Sequence, residues 1–401
     1  MKKKPTIFVA GGTRGKKQQL EINWHGEKEH KFFIKINDKR AGVKTLDEVI
    51  LSKTSGNIVS WTSTKEEKEL TYHDNSFFAE TNCEGMIKSS LEIPESSEKR
   101  IFIRPEIEKG GDLIGNFILA YFTYFSRRYG FEIPKISSIE DITNIEKAVD
   151  IARKHIPSDE QAVTLLLGDC SFLRHDELDF LVNGLYGKGD FATYFVNKQV
   201  FDAFIEKLGA GNFSNRDYRK HKMNFFGMKS EKDGAGLYRF GNISVINPLR
   251  MDAELLEIIS FIVSHRHFHD EGHESWYHRV EEKADKVSKI QKLRKKYISR
   301  HSESEEKINS VAYNIFNMFY TSLFHYHKLD ASLNKRFPSF ENFSEDITKA
   351  LSVAGRNFNV SILPLELQNS PRGKLYGAGI LYDLDTRETV DFTRRYVHLW
   401  K

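Results

Sequence analysis

Ala162-Val163-Thr164-Leu165-Leu166-Leu167 is an unbroken run of apolar and β-branched residues without a charge. A strand that wets one face alternates polar with apolar side chains, so a run of this kind reads as a strand buried on both faces. Gly168-Asp169-Cys170 follows it directly. On its N-terminal side, Asn116 to Tyr129 reads as an amphipathic helix. Ile118, Leu119, Phe122 and Phe125 share one face, Arg127 and Arg128 sit near the C-terminal end, where cations suit the helix dipole, and Gly130 stops it. Further helices are expected over about 139–155 and 197–208. The stretches 184–189 and 209–241, rich in Gly and Asn, are expected to be loops with short elements between them. A buried strand among helices predicts an α/β part over 105–247.

Further out, residues 6–103 hold short strand-like runs, among them Ile7-Phe8-Val9, Lys31 to Ile36, Ile58 to Thr62 and Ile101-Phe102-Ile103. They predict a β-rich part over 1–104, with Pro94 to Arg100 as an exposed connection. From Met251 the sequence lacks proline and spaces apolar residues by three and four, which predicts a helical part over 248–337. The tail, 338–401, carries strand-like runs at Asn359 to Leu367 and Lys374 to Leu384. The turn residues Asn369-Ser370-Pro371-Arg372-Gly373 lie between them and predict a terminal β-hairpin. The fold class is therefore α+β, in four parts.

A chain of 401 residues exceeds what one small core organises. A net charge of +4 does not by itself call for nucleic acid. No window approaches the ~18 apolar residues of a spanning helix, so no membrane association is expected. The apolar stretch after Met1-Lys2-Lys3-Lys4 is too short for a signal-peptide core. Two cysteines, Cys83 and Cys170, make neither a disulfide framework nor a Cys-x-x-Cys pair, which points to a cytoplasmic setting, and neither cysteine suggests a zinc site.

The densest chemistry lies in Ser264-His265-Arg266-His267-Phe268-His269-Asp270-Glu271-Gly272-His273-Glu274, with four of the 15 histidines. On a helix, His265, His269 and His273 share one face. Histidine and glycine are poor helix residues, so the run breaks a local rule between stronger helical stretches. Arg266 and His273, with His269 between them, suit metal-free phosphodiester cleavage: histidine moves the proton and arginine stabilises charge on the phosphorus oxygens. Further along, Lys289, Lys292, Lys296 and Arg300 form a basic stripe fit for a phosphate backbone, or a solvated helix face balanced by Glu281, Glu282 and Asp285.

Arg266, the polar His267 and His273 within a helical segment resemble the Arg-x(4–6)-His motif of HEPN-type ribonucleases. The resemblance covers about 251–337 and implies a cytoplasmic endoribonuclease of a defence or toxin system, acting on RNA without metal or cofactor, often as a dimer. Two readings stand beside it. One is a metal-dependent nuclease using the His265–His273 cluster, whose imidazoles and carboxylates are ligand types for zinc or manganese. The other is a non-catalytic nucleic-acid-binding protein, or a subunit of a larger complex.

Three weaker signals complete the reading. Gly11-Gly12-Thr13-Arg14-Gly15-Lys16 follows a short strand and resembles a phosphate-binding loop, but is one residue short and carries Lys17 where Ser or Thr belongs, so it reads as a basic turn. Asp169, or Arg174 and His175 after it, stands where α/β sheets gather ligands beyond strand carboxyl ends, and otherwise caps a helix. Asp383 and Asp385, with Glu366 and Gln368, could form a carboxylate metal site, or mark the wet face of a strand.

Overall fold

The computed structural model describes residues 6–10, 22–24, 27–29, 34–61, 78–81, 84–87, 101–104, 113–136, 142–221, 223, 225–230, 234–251, 339–351, 358–371, 374–384 and 386–400. The chain enters at β1 (Ile7–Ala10) and passes two small hairpins, β2 and β3 (Ile22–Trp24, Glu27–Glu29) and β4 and β5 (Lys35–Ile36, Lys39–Arg40). Helix α1 (Ala41–Leu51) leads to β6 (Ile58–Trp61), β7 (Phe78–Thr81), β8 (Glu84–Ile87) and β9 (Ile101–Arg104). Helices α2 (Leu113–Tyr129) and α3 (Ile142–His155) precede β10 (Val163–Leu167), which is followed by α4 (His175–Leu185), β11 (Phe191–Asn197) and α5 (Lys198–Lys207). Then come α6 (Asn215–Lys220), β12 (Phe226–Ser230), β13 (Gly234–Ile246), α7 (Phe340–Leu351), β14 (Val360–Leu365), α8 (Ala378–Leu381) and α9 (Arg387–Tyr396).

Ten strands form one mixed sheet in the order β14-β11-β13-β10-β1-β6-β9-β8-β7, with β12 on β13. β9, β6, β1 and β10 run parallel, and β13 is antiparallel to both β10 and β11. Strands from residues 1–104, 105–247 and 338–401 thus share a sheet. The α+β class holds.

The apolar run is β10, and both its faces are covered. Leu166 joins a core with Leu46 and Val49 of α1 and Leu178 and Leu181 of α4. Val163 joins the opposite core with Phe117 and Phe125 of α2 and Ala148 and Ala152 of α3. Each such side chain stabilises the fold by about 1.5–3 kcal/mol through burial, which is why the strand needs no polar alternation.

Three expectations are corrected. The stretch 209–241 is not mainly loop, because β13 alone spans Gly234–Ile246 and its ladder is completed by β10, β11 and β12. The β-rich reading of 1–104 missed α1, whose buried Ala41, Thr45, Leu46, Val49 and Ile50 follow helical spacing. The terminal hairpin does not form. Val360–Leu365 is a strand, but it pairs in parallel with β11, and the second run contains the single helical turn α8. Gly377 takes φ +100°, and the Glu177 carboxylate accepts the N–H groups of Gly377 and Gly379, at 2.6 and 3.1 Å, that a strand would need for its ladder. The expected helical tract lies outside the described residues apart from residues 248–251. Among the described residues no helix is long and apolar enough to cross a membrane.

Candidate functional site at the carboxyl edge of the sheet

From β1 the chain steps outward to β6 and β9, then returns through α2 and α3 to place β10 on the other side of β1. The strand order therefore reverses between β1 and β10, and the helices that follow these two strands, α1 and α4, pack in one core on the same face of the sheet. Open α/β sheets take their ligands beyond the carboxyl ends of their strands, near a reversal of strand order. The ends are in register, with Ala10 beside Leu167. The residues leaving Ala10 are Gly11-Gly12-Thr13-Arg14-Gly15-Lys16-Lys17, outside the described residues; those leaving Leu167 are Gly168-Asp169.

The loop after β10 is held from several directions. The buried Thr45 hydroxyl of α1 donates to the Gly168 carbonyl at 3.0 Å. Ser171 N donates to Asp169 O and Leu173 N to Cys170 O, both at 3.0 Å, making consecutive tight turns. Asp169 is 3% exposed and Cys170 and Phe172 are buried. Glu48 of α1 accepts the His175 backbone N–H at 2.7 Å, occupying the first turn of α4 with negative charge, as the helix dipole favours. His175 Nδ1 lies 3.0 Å from the same carboxylate oxygen.

A second loop packs on the first. The Phe172 ring meets Tyr382 edge-on with centroids 5.4 Å apart, and a Cβ at Gly379 would lie 2.7 Å from Leu173 Cα, so only glycine permits this approach. Leu384 reaches the start of α1, packing in one small core with Ala41 and Ile36. Asp383, between these anchors, pairs with Arg239 at 3.0 Å, both side chains nearly buried. Arg239 lies on the part of β13 that continues past Ile243, the partner of Leu166, and so projects beyond the carboxyl end of β10. Asp169 and Asp383 are thus carried by two mutually packed loops at one edge of the sheet.

The electrostatics around α4 are sharply divided. Burial opposes the charge on Asp176, but hydrogen bonds from Lys374 (2.6 Å) and Tyr376 (3.0 Å), with the Arg174 charge, outweigh it and bring the carboxyl down to about 2. Next to it, the fully buried Glu177 is pushed up to about 7 by desolvation, against the opposing hydrogen bonds from Gly377 and Gly379. His221, whose Nδ1 lies 2.5 Å from the Tyr382 hydroxyl, is lowered by burial and favours its neutral form.

Beside the Asp169 loop lies a cleft of about 240 Å³ between the β4–β5 turn, the outer face of α1, Ser171 to Arg174, and Val397 and Trp400 near the C-terminus. Arg174 is fixed there by Asp176 at 3.1 Å, and its guanidinium lies 5.1 Å from the Trp400 ring centre.

Of the residues singled out in the sequence, Arg266, His269, His273, Lys289, Lys292, Lys296 and Arg300 lie outside the described residues, as does Asp385. Asp169, Arg174 and His175 all lie in or just after the loop leaving β10, with Arg174 held by Asp176 and His175 by Glu48. Glu366 and Gln368 do not join Asp383. Glu366 accepts from the Tyr238 hydroxyl (2.8 Å) and Gln368 (3.1 Å), while Asp383 is held by Arg239. Sequence reasoning missed Thr45, Lys44 and Trp400, since nothing in local spacing links residues 44, 171 and 400.

No family model matches this chain, and no curated protein matches it. Among solved structures, it resembles a hypothetical transferase from Thermus thermophilus at 12% identity, covering 97% of this chain and all of that one, with a TM-score of 0.43. It also resembles 4-diphosphocytidyl-2C-methyl-D-erythritol synthase from Anaerococcus prevotii at 9% identity, covering 99% and 100%, with a TM-score of 0.33. CMP:2-keto-3-deoxy-manno-octonic acid synthetase in complex with CTP matches at 10% identity over 64% of this chain and 78% of that one, with a TM-score of 0.31. These proteins are named as a transferase, a synthase and a synthetase, none as a nuclease, and the nucleic-acid-directed reading is corrected on that finding. Endoribonuclease, nucleic-acid binder and His265–His273 metal nuclease all give way with it. The physical reason is that the histidine run drew its force from local spacing alone, whereas a sheet-edge site is assembled from distant loops.

Proposed function

We propose that this chain binds a nucleoside triphosphate at the β1–β10 switch point and transfers its nucleotidyl group to a small acceptor. The reading is carried by one observation: the strand order reverses between two in-register ends, Ala10 and Leu167, one continuing into a glycine-rich basic segment and the other into Asp169. The segment leaving Ala10 combines Gly11, Gly12 and Gly15 with Arg14, Lys16 and Lys17, a composition suited to a phosphate ligand. The basic turn expected there acquires, in this setting, a ligand to meet.

Asp169 and Asp383, hard oxygen donors on adjoining loops, fit a magnesium ion. Such an ion, when bound, neutralises phosphate charge. Arg239 pairs with Asp383 at 3.0 Å, and the Thr45 bond to Gly168 fixes where the Asp169 loop begins. In the transfer, an acceptor oxygen bonds to the α-phosphorus, the bond from that phosphorus to the bridging oxygen breaks, and pyrophosphate leaves. The basic side chains after β1 stabilise charge on the departing group.

Calorimetric titration of the full chain with CTP, UTP, ATP and GTP, each with and without magnesium, tests this. At least one nucleotide is expected to bind in the micromolar range with magnesium and at least tenfold more weakly without it. Asp169→Asn is expected to abolish that magnesium dependence. Failure of all four to bind at millimolar concentration sinks the reading.

A further inference from the structure

β14 stands at one end of the sheet, and among the described residues no further strand pairs with its outer side. Such an edge presents a row of backbone groups and invites a strand from another chain. Alternate residues of a paired strand turn their N–H and C=O groups to one neighbour and then to the other. With β11 on one side in parallel register, the residues of β14 that turn outward are Val360, Ile362 and Pro364. Every outward donor is accounted for. Val360 N donates to Thr348 Oγ1 at 2.9 Å, and the same hydroxyl donates back to the Val360 carbonyl at 3.3 Å. Ile362 N donates to Ser344 Oγ at 2.9 Å. Pro364 has no N–H to offer.

Both hydroxyls belong to α7, where a spacing of four residues sets them on one helical row. The row beside it, Phe340, Phe343 and Ile347, is buried with Phe358, Val360 and Ile362. α7 thus lies over the corner of the sheet, apolar toward the core and hydroxyl-bearing toward the edge. Serine and threonine are middling helix formers, so helix propensity alone does not call for them at these two positions. β14 also has anchors of its own: the Asn359 carbonyl accepts from Asp190 N at 2.8 Å and Phe191 N at 3.1 Å, and the Asp190 carboxylate accepts from Asn359 N at 2.9 Å. We propose that α7 closes this edge, the Ser344 and Thr348 hydroxyls standing in for a further strand, and so keeps two copies of this chain from pairing through β14. The device is independent of nucleotide binding.

Amide hydrogen exchange in the full chain, read by NMR at low concentration, tests the closure bond by bond. Ser344→Ala should speed exchange at Ile362 at least tenfold more than at Val360, and Thr348→Ala should do the reverse. A general loss of stability speeds both amides alike, so the match of variant to amide separates a lost cap from a weakened fold. Ser344→Thr combined with Thr348→Ser keeps both hydroxyls and should preserve the natural pattern. The double variant Ser344→Ala/Thr348→Ala, with folding checked by circular dichroism, should self-associate more than the natural chain in sedimentation velocity at matched concentrations. A smaller rise is expected in each single variant, which carries the test if the double variant does not fold. As concentration increases, Val360 and Ile362 should regain protection, because the second copy then covers them. Equal acceleration at both amides in each single variant, or association no greater than that of the natural chain, overturns the proposal. So does association without renewed protection at these two amides, since the contact then lies elsewhere.

Discussion

Glu177 concentrates the tension in this structure into one side chain. It is fully buried, one oxygen accepts two backbone N–H groups, and the other, Oε2, has no hydrogen-bond partner among the described residues. Desolvation pushes its pKa up to about 7 from an ordinary 4.5. The sign follows directly: between these values the folded chain holds the proton and the unfolded chain releases it, so stability falls as pH rises from about 4.5 to about 7 and is level above. A shift of this size corresponds to roughly 3 kcal/mol across the window. Glu177→Gln keeps an oxygen for Gly377 and Gly379 and cannot titrate. Urea midpoints at pH 5, 6, 7 and 8 should therefore fall with pH in the natural chain and lose much of that slope in the variant. Equal slopes would mean that Glu177 is ionised throughout.

At the scale of elements, α8 is a single helical turn whose position depends on the absence of a side chain. A Cβ on Gly379 would lie 2.5 Å from Glu177 Oε2, 2.7 Å from Leu173 Cα and 2.8 Å from the Phe172 carbonyl oxygen. Two of these are backbone atoms of the loop that carries Asp169, so neither can rotate away. Gly379→Ala is expected to destabilise the chain by about 1–3 kcal/mol, measured by thermal unfolding. It should also weaken magnesium-nucleotide binding, because the Asp169 loop must yield. A variant with unchanged melting would show that the two loops pack more loosely than described. This contact also marks a limit of local reading. Lys374 to Leu384 has the composition of a strand, and what forbids one is a carboxylate about 200 residues earlier in the chain taking its N–H groups.

For the whole molecule, the sheet orders stability from its centre outward. β10 is flanked by β1 and β13 and covered on both faces, whereas β7, among the described residues, stands at the end of the sheet beside β8. Backbone amides in β10 are therefore expected to exchange with deuterium most slowly, at rates set by global unfolding, and those in β7 much faster. Adding magnesium and the nucleotide that binds should slow exchange in residues 168–173 more than in β7. Fast exchange in β10 would contradict its place at the centre of the core.

The local elements were legible from residue pattern alone. The unbroken run at 162–167, the apolar stripe of α2 and the run that became β14 each express a periodicity set by backbone geometry, and each formed close to where it was expected. Strand order, the parallel pairing of β14 with β11, the approach of Tyr382 to Phe172 and the meeting of Lys44, Ser171 and Trp400 were decided only by tertiary structure. Those contacts join residues tens to hundreds of positions apart. Their free energy comes from burial and from hydrogen bonds completed across the fold, and no spacing within a short window records either.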